Sequence, residues 1–303
     1  MIANDYPAAV MWNYGYQCNM NCLHCYSRAE AATGESVNMT IEQATYIARE
    51  IIRARPIHVH FGGGEPLMRE DFVPVAKLLT GVGINVSLST NGTFLDVRMA
   101  RHLAAIPVDR VALSFHGIDA TVHDAFTRHA GSFAGLLEAS ANVLRAGVRI
   151  KLVYSLNALT RDAAPSVYAL AESLGILSIQ FAPVKIVGNA AANLRDLQMT
   201  PDEWRALYDT LQAEGARHLN IDTHYGFDNN PVIADIVGKD ILPCPCGRYS
   251  ITVKPNGDVS PCNVVPTVVG NVFQRPLLDI WRHVPELLAI RSGTASPCAY
   301  LQS

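Results

Sequence analysis

The chain reads first as an alternation of two periodicities. Short β-branched and aromatic runs at Val10–Tyr14, His58–Phe61, Asn85–Ser89, Arg110–Ser114, Arg149–Tyr154 and Ser178–Phe181 lie between turn signals and predict six strands. Between them apolar positions recur at helical spacing. Thr40 opens a run to Arg55 with Gln43 three places on, a capping-box pattern, and further helices fit Asp71–Thr80, Asp96–Ala105, Ser132–Ala146 and Ala163–Leu174. Gly81, Gly147 and Gly175 stand where a helix should stop before the next strand. This alternation implies βαβ units on a parallel sheet, and six units make an α/β fold of the partial (β/α)6, TIM-like barrel kind. Ligands of such sheets bind at the C-terminal strand ends.

After residue 185 the pattern changes. Pro201–Arg217 reads as a helix, and Tyr249–Ser260 as a hairpin turning at Asn256-Gly257. The expected organisation is a barrel core over 1–188, a helical bridging segment over 189–242, and a small C-terminal domain over 243–303.

Composition removes several classes of function. With 49% hydrophobic and 17% charged residues over 303 positions, the chain has the balance of a globular enzyme. A net charge of −3 with no basic, aromatic-rich stretch argues against nucleic acid as a partner. No window reaches the ~18 uninterrupted apolar residues of a membrane span, and the first residues lack a secretion signal, so no membrane role is expected and the location expected is cytoplasmic. The seven cysteines cluster towards the two ends, which favours metal thiolates in a reducing compartment over a disulfide framework.

The chemistry begins at Cys18-x3-Cys22-x2-Cys25, directly after the first strand. Three thiolates in eight residues can hold three irons of a [4Fe–4S] cubane and leave the fourth open to another ligand. Zinc is the competing occupant, but it wants four closed ligands and His24 is too near in the chain to supply the fourth comfortably. Gly62-Gly63-Gly64-Glu65-Pro66 follows the second strand, with glycines that permit close backbone approach and a carboxylate that can accept from an ammonium group. Ser89-Thr90-Asn91-Gly92 ends the third strand with hydroxyl and amide groups. Either turn alone could be only a turn. Three motifs on three successive strand ends mark a site.

With these residues the chain resembles the radical S-adenosylmethionine superfamily, and specifically members with a C-terminal auxiliary-cluster region of the SPASM or twitch type. The resemblance implies that Cys18, Cys22 and Cys25 bind a reducing [4Fe–4S] cluster. It also implies that the cluster reductively cleaves S-adenosylmethionine to a 5′-deoxyadenosyl radical, which abstracts a substrate hydrogen, with electrons from a flavodoxin- or ferredoxin-type donor. It further implies that His24 lies by the adenine, that Gly63, Gly64 and Glu65 receive the methionine amino group, and that Ser89 and Asn91 lie near the nucleoside. Ser114 and Arg128 would hold ribose and carboxylate, although Arg128-His129 replaces the usual Arg-Gly.

Cys244-Pro-Cys246, Cys262 and Cys298 form the second group. Cys246 through Gly257 to Cys262 fits the family's C-x(9–15)-G-x4-C pattern, so the resemblance implies one auxiliary [4Fe–4S] cluster in the twitch-type domain, on four cysteines or on three if the tight C-x-C pair cannot both ligate. A structural zinc is the alternative occupant. His116, Tyr154 and Lys185 are the candidates for catalysis, with His60, Asn157 and Gln180 as further polar groups near strand ends.

For the substrate, the first strand comes within about ten residues of the start and few residues follow Cys298. This brevity favours a small-molecule natural-product intermediate, such as a sugar or nucleoside that is dehydrogenated or decarboxylated in antibiotic biosynthesis, and hence an oxidoreductase or lyase. A peptide maturase and a haem-pathway decarboxylase, which the WN-x4-CN-x-NCLHCYS opening resembles, are the alternatives. A non-catalytic electron-transfer protein is the remote one.

Overall fold

The structure is a computed structural model that describes residues 5–27, 39–226, 231–238 and 244–296. One sheet organises it. Strands β1 (Ala9–Asn13), β2 (His58–Gly62), β3 (Asn85–Thr90), β4 (Arg110–Phe115), β5 (Ile150–Leu156), β6 (Ser178–Pro183) and β7 (Asp222–Tyr225) pair in sequence order, all parallel. The connecting helices are α1 (Ile41–Ala54), α2 (Phe72–Thr80), α3 (Val97–Ala105), α4 (Ala120–Thr127), α5 (Ser132–Arg145) and α6 (Val167–Leu174). After β6 come two single-turn helices, α7 (Asn189–Ala192) and α8 (Leu194–Leu197), and then α9 (Pro201–Gly215) and α10 (Pro231–Ile236). Strands β8 (Ser250–Val253), β9 (Asp258–Ser260) and β10 (Gly270–Asn271) precede α11 (Leu277–His283) and α12 (Pro285–Ser292).

Local chemistry accounts for most of these elements. Thr40 and Gln43 make the reciprocal capping box of α1, and Asp96 caps α3 through Met99 N. The sheet alternates as a barrel must. Val10, Trp12, Val59, Phe61, Val86 and Leu88 point outward under the helices and are fully buried, whereas Met11, Asn13, His60, Ser89 and Ser114 face inward and line a cavity. Behind the ends of β1 and β2, Trp12 meets Tyr14 at 4.9 Å, Tyr14 meets Phe61 at 5.0 Å and Phe61 meets Phe72 at 5.1 Å. Edge contacts of this kind add about 0.5–1.5 kcal/mol each beyond burial and stiffen the strand ends that carry the site.

Three features differ from the sequence reading. A seventh parallel strand exists at β7; its residues DTHY are polar and short, so no apolar run announced it. Helix α4 is an unexpected element that Asp119 caps through Val122 N. The hairpin forms as expected at Asn256-Gly257, but β8 pairs in parallel with β1, so β8, β9 and β10 continue the barrel sheet to ten strands.

Candidate functional site

Cys18, Cys22 and Cys25 leave the C-terminal end of β1 in an irregular loop, and all three line a cavity of about 290 Å³ at the barrel mouth. The same wall takes in Gly62, Gly63, Gly64 and Glu65 after β2, and Ser89, Thr90 and Asn91 at the end of β3. Three motifs far apart in sequence therefore converge, because parallel βα units place all their strand ends on one rim.

The glycine turn packs against the chain's own backbone. Gly64 N donates to Gly15 O at 2.7 Å and Glu65 N to Gln17 O at 2.8 Å. Gly63 has φ +102°, and a Cβ on Gly64 would lie 2.1 Å from Gln17 O. The close approach these glycines permit includes the strand leading into the cysteine loop. Glu65 is buried and accepts from Leu67 N at 3.1 Å, Thr90 Oγ1 at 2.8 Å and Asn91 N at 2.8 Å. A carboxylate offers about four acceptor positions, so one is left for an ammonium group. Burial pushes the Glu65 carboxyl up to about 7 while these hydrogen bonds pull the other way.

Asn91 is more engaged with the protein than its motif suggested. Its Nδ2 reaches Asn19 Oδ1 at 2.8 Å and Cys18 Sγ at 3.8 Å, tying the end of β3 to the cysteine loop. Ser89 Oγ bonds to His60 Nε2 at 2.9 Å, and Ser87 bridges His60 and His58 at 2.8 Å each. Burial holds His60 down to about 4, so it is neutral.

His24 and His116 form an aromatic side of the cavity, 4.7 Å apart between ring centres and both against Phe126. Burial depresses both, His24 to about 4. Nδ1 of His24 and Nδ2 of Asn13 are buried without a hydrogen-bond partner. Two orphaned polar atoms in the wall of one cavity are what a bound ligand would satisfy. With three thiolates, a buried carboxylate, hydroxyls and an imidazole face, the wall fits a cluster and S-adenosylmethionine, the groups expected here.

Not every candidate joins this wall. Ser114 does. Arg128 does not line it: this residue ends α4 in a left-handed turn, φ 55°, and its guanidinium meets Asn193 Oδ1 at 3.4 Å. Tyr154 is fully buried and donates to Thr160 O at 2.9 Å, a contact that stabilises the β5 turn away from the cavity. Lys185 is exposed beyond β6. Asn13, Tyr26 and Asn263 also line the cavity; the first two lie within the WN-x4-CN-x-NCLHCYS opening, which gave them no role, and Asn263 lies in no motif.

The second cysteine group sits at the feet of the hairpin. Cys246 bridges to Ser250, and Cys262 follows β9 and is buried. The Cys246 thiol donates to Cys244 and Cys262, which holds it protonated and pushes it up, and the bond it donates, helped by the Lys185 charge, draws Cys262 down. Cys246 thus neighbours both Cys244 and Cys262, and thiolates are soft donors suited to iron and sulfide. Cys298 lies outside the described residues.

Known proteins resemble the chain at the level of its domains and overall fold. A family model of the radical SAM superfamily matches residues 12–159, and one of the SPASM iron–sulfur cluster-binding domain matches 244–300. The chain is similar to mycofactocin maturase MftC of Mycolicibacterium smegmatis, 28% identical over 99% of this chain and 77% of that one. PqqA peptide cyclase of Streptomyces rochei is 30% identical over 91% of this chain and 75% of its own. AdoMet-dependent heme synthase of Methanosarcina barkeri is 24% identical over 97% and 89%. Among solved structures, Streptococcus suis SuiB bound to precursor peptide SuiA superposes with a TM-score of 0.76 at 15% identity, covering 95% of this chain and 67% of that one.

Proposed function

Because the chain belongs to the radical SAM superfamily and carries a SPASM-type C-terminal domain, we propose that it is a peptide-modifying member, a maturase acting on a precursor peptide. The carrying observation is the similarity to MftC along 99% of this chain, joined by that to PqqA peptide cyclase. It replaces the small-molecule expectation, which rested on where the sequence begins and ends; sugar or nucleoside processing and antibiotic biosynthesis find no support among these relatives. A haem-pathway substrate is the second reading, favoured by the heme synthase relative.

When bound, the cluster and S-adenosylmethionine supply a 5′-deoxyadenosyl radical that takes a hydrogen atom from the substrate. On this reading Cys18, Cys22 and Cys25 hold the cluster, and Glu65 offers its remaining acceptor position to the methionine ammonium. His24 lends its face and unpartnered Nδ1 to the adenine, and Ser89 and Ser114 serve the ribose side. Cys244, Cys246 and Cys262, with Cys298, hold an auxiliary cluster. Residues 1–188 form the radical-generating core, 189–242 bridge, and 243–303 carry the auxiliary site.

The test is anaerobic reconstitution of the full chain, reduction by dithionite, and assay of 5′-deoxyadenosine. It is run with short peptides encoded beside the gene, with iron coproporphyrin and with a nucleoside-diphosphate sugar. The expected result is nucleoside formation stimulated by a peptide, together with a change in that peptide's mass. Stimulation by the porphyrin or the sugar alone would replace the peptide reading, and a reduced cluster that yields no 5′-deoxyadenosine would remove the enzyme reading altogether.

A further inference from the structure

Between Cys22 and Cys25 the backbone makes one turn, Cys25 N donating to Cys22 O at 3.2 Å, and most of its other polar groups find partners elsewhere. On one side Asn21 N donates to Thr127 O at 3.3 Å and Leu23 N to Phe126 O at 3.0 Å. On the other, the Cys22, Leu23 and Cys25 carbonyls each accept from one short segment after β6, with Cys22 O shared between that segment and Cys25 N. Asn189 N donates to Cys25 O at 3.0 Å, Asn189 Nδ2 to Cys22 O at 2.9 Å and to Asn21 Oδ1 at 3.0 Å, and Asn193 Nδ2 to Leu23 O at 3.0 Å. Gly188 precedes them at φ +60°, and a Cβ there would lie 2.5 Å from Cys25 O. Beneath the loop, Leu23 packs on Phe126, Ala190 and Leu197.

The two asparagines are spaced i, i+4, and Asn193 Nδ2 also donates to Asn189 O at 2.7 Å. Each Nδ2 faces two oxygen acceptors, which settles the amide orientation and makes the donor, not the shape, the required feature. An aspartate of the same shape would set a carboxylate against those oxygens.

We propose that Asn189 and Asn193 are positioning residues of the three-cysteine site: their amide N–H groups hold the Cys22 and Leu23 carbonyls so that the cysteine side chains face the cavity and retain iron. The assignment rests on the reading that Cys18, Cys22 and Cys25 bind a cluster. Groups that orient metal ligands from behind cost about 10- to 100-fold in metal affinity when lost. The cluster loop would then depend on a segment far away in the chain, as the Asn21–Asn189 separation of 168 positions shows.

The experiment uses full-length, anaerobically reconstituted wild type, Asn189→Asp and Asn193→Asp, with Arg195→Gln, an exposed neighbour on α8, as control. Iron release to a chelator is timed, and the change that S-adenosylmethionine causes in the electron paramagnetic resonance signal of the reduced protein is recorded, with circular dichroism melting as the check on folding. The expected outcome is about tenfold or faster iron release and a weakened or altered response to S-adenosylmethionine in both aspartate variants, with the melting transition of wild type. Gly188→Ala tests the same loop from its other end and should behave alike. Wild-type iron retention and an unchanged spectrum in folded variants would overturn the assignment. So would loss of fold in all three, which would make these ordinary fold residues. Wild type that holds no more iron than Cys18/Cys22/Cys25→Ala protein would instead fail the cluster reading itself.

Discussion

Glu65 carries the clearest pH dependence of any single residue. Its folded-state value of about 7 lies above the ordinary 4.5, so in the ligand-free protein this group stabilises the fold fully below about 4.5, and that contribution is lost as pH rises through about 7. A bound ammonium group reverses the preference, because it requires the carboxylate. Affinity for S-adenosylmethionine should therefore fall by up to about tenfold for each pH unit below 7, read by anaerobic calorimetry between pH 5.5 and 8.5. Glu65→Gln should flatten that profile; an unchanged slope would mean that another group binds the ammonium. The motif GGGEP made Glu65 visible, but its three donors, Leu67 N, Thr90 Oγ1 and Asn91 N, come from two different turns and were not. Arg128 and Tyr154 show the opposite limit: each is plausible in sequence, and packing directs one to Asn193 and the other to Thr160.

Among the elements, β1 is the central one, since it pairs with both β2 and β8 and leads into the cysteine loop. Trp12→Ala would empty a fully buried site in the aromatic cluster behind it and should cost about 3–5 kcal/mol, measured by chemical unfolding. A loss below about 1 kcal/mol would show that the cluster does not support the strand. The hairpin turn gives a second prediction. Gly257 has φ +83°, and a Cβ there would sit 2.4 Å from Phe273 Cδ2, so Gly257→Ala should destabilise by about 1–3 kcal/mol. Because Ile251 and Val253 belong to the same core as Val10 and Trp12, the loss should appear as a lowered midpoint of one transition. A separate low-temperature step for the hairpin would contradict that coupling. The strands were legible where apolar runs were long; β7 was not, because DTHY at an edge needs no apolar face.

At the scale of the molecule, two thiolate groups stand on one continuous sheet, one at the mouth of the barrel and one at the hairpin joined to it. Two cubanes hold about eight irons, so reconstituted protein should carry about that number and Cys18/Cys22/Cys25→Ala protein about four, by iron and sulfide assay. A fall to near zero would mean that the hairpin cysteines bind no cluster of their own. Among the described residues no helix is long and apolar enough to cross a membrane.

The sequence by itself determined the cofactor chemistry and the class of fold. Cys18-x3-Cys22-x2-Cys25, the GGGEP turn and the strand–helix alternation are local patterns, and local patterns are written in adjacent residues. Only the tertiary structure decided what those patterns meet. It turned the hairpin into an extension of the barrel sheet, moved Arg128 off the cavity wall, and brought Asn189 and Asn193 onto the cysteine loop. The reason is physical: a hydrogen bond between residues more than a hundred positions apart depends on how helices and strands stack, and an asparagine in a short polar segment looks the same in sequence whether it faces water or the cysteine loop.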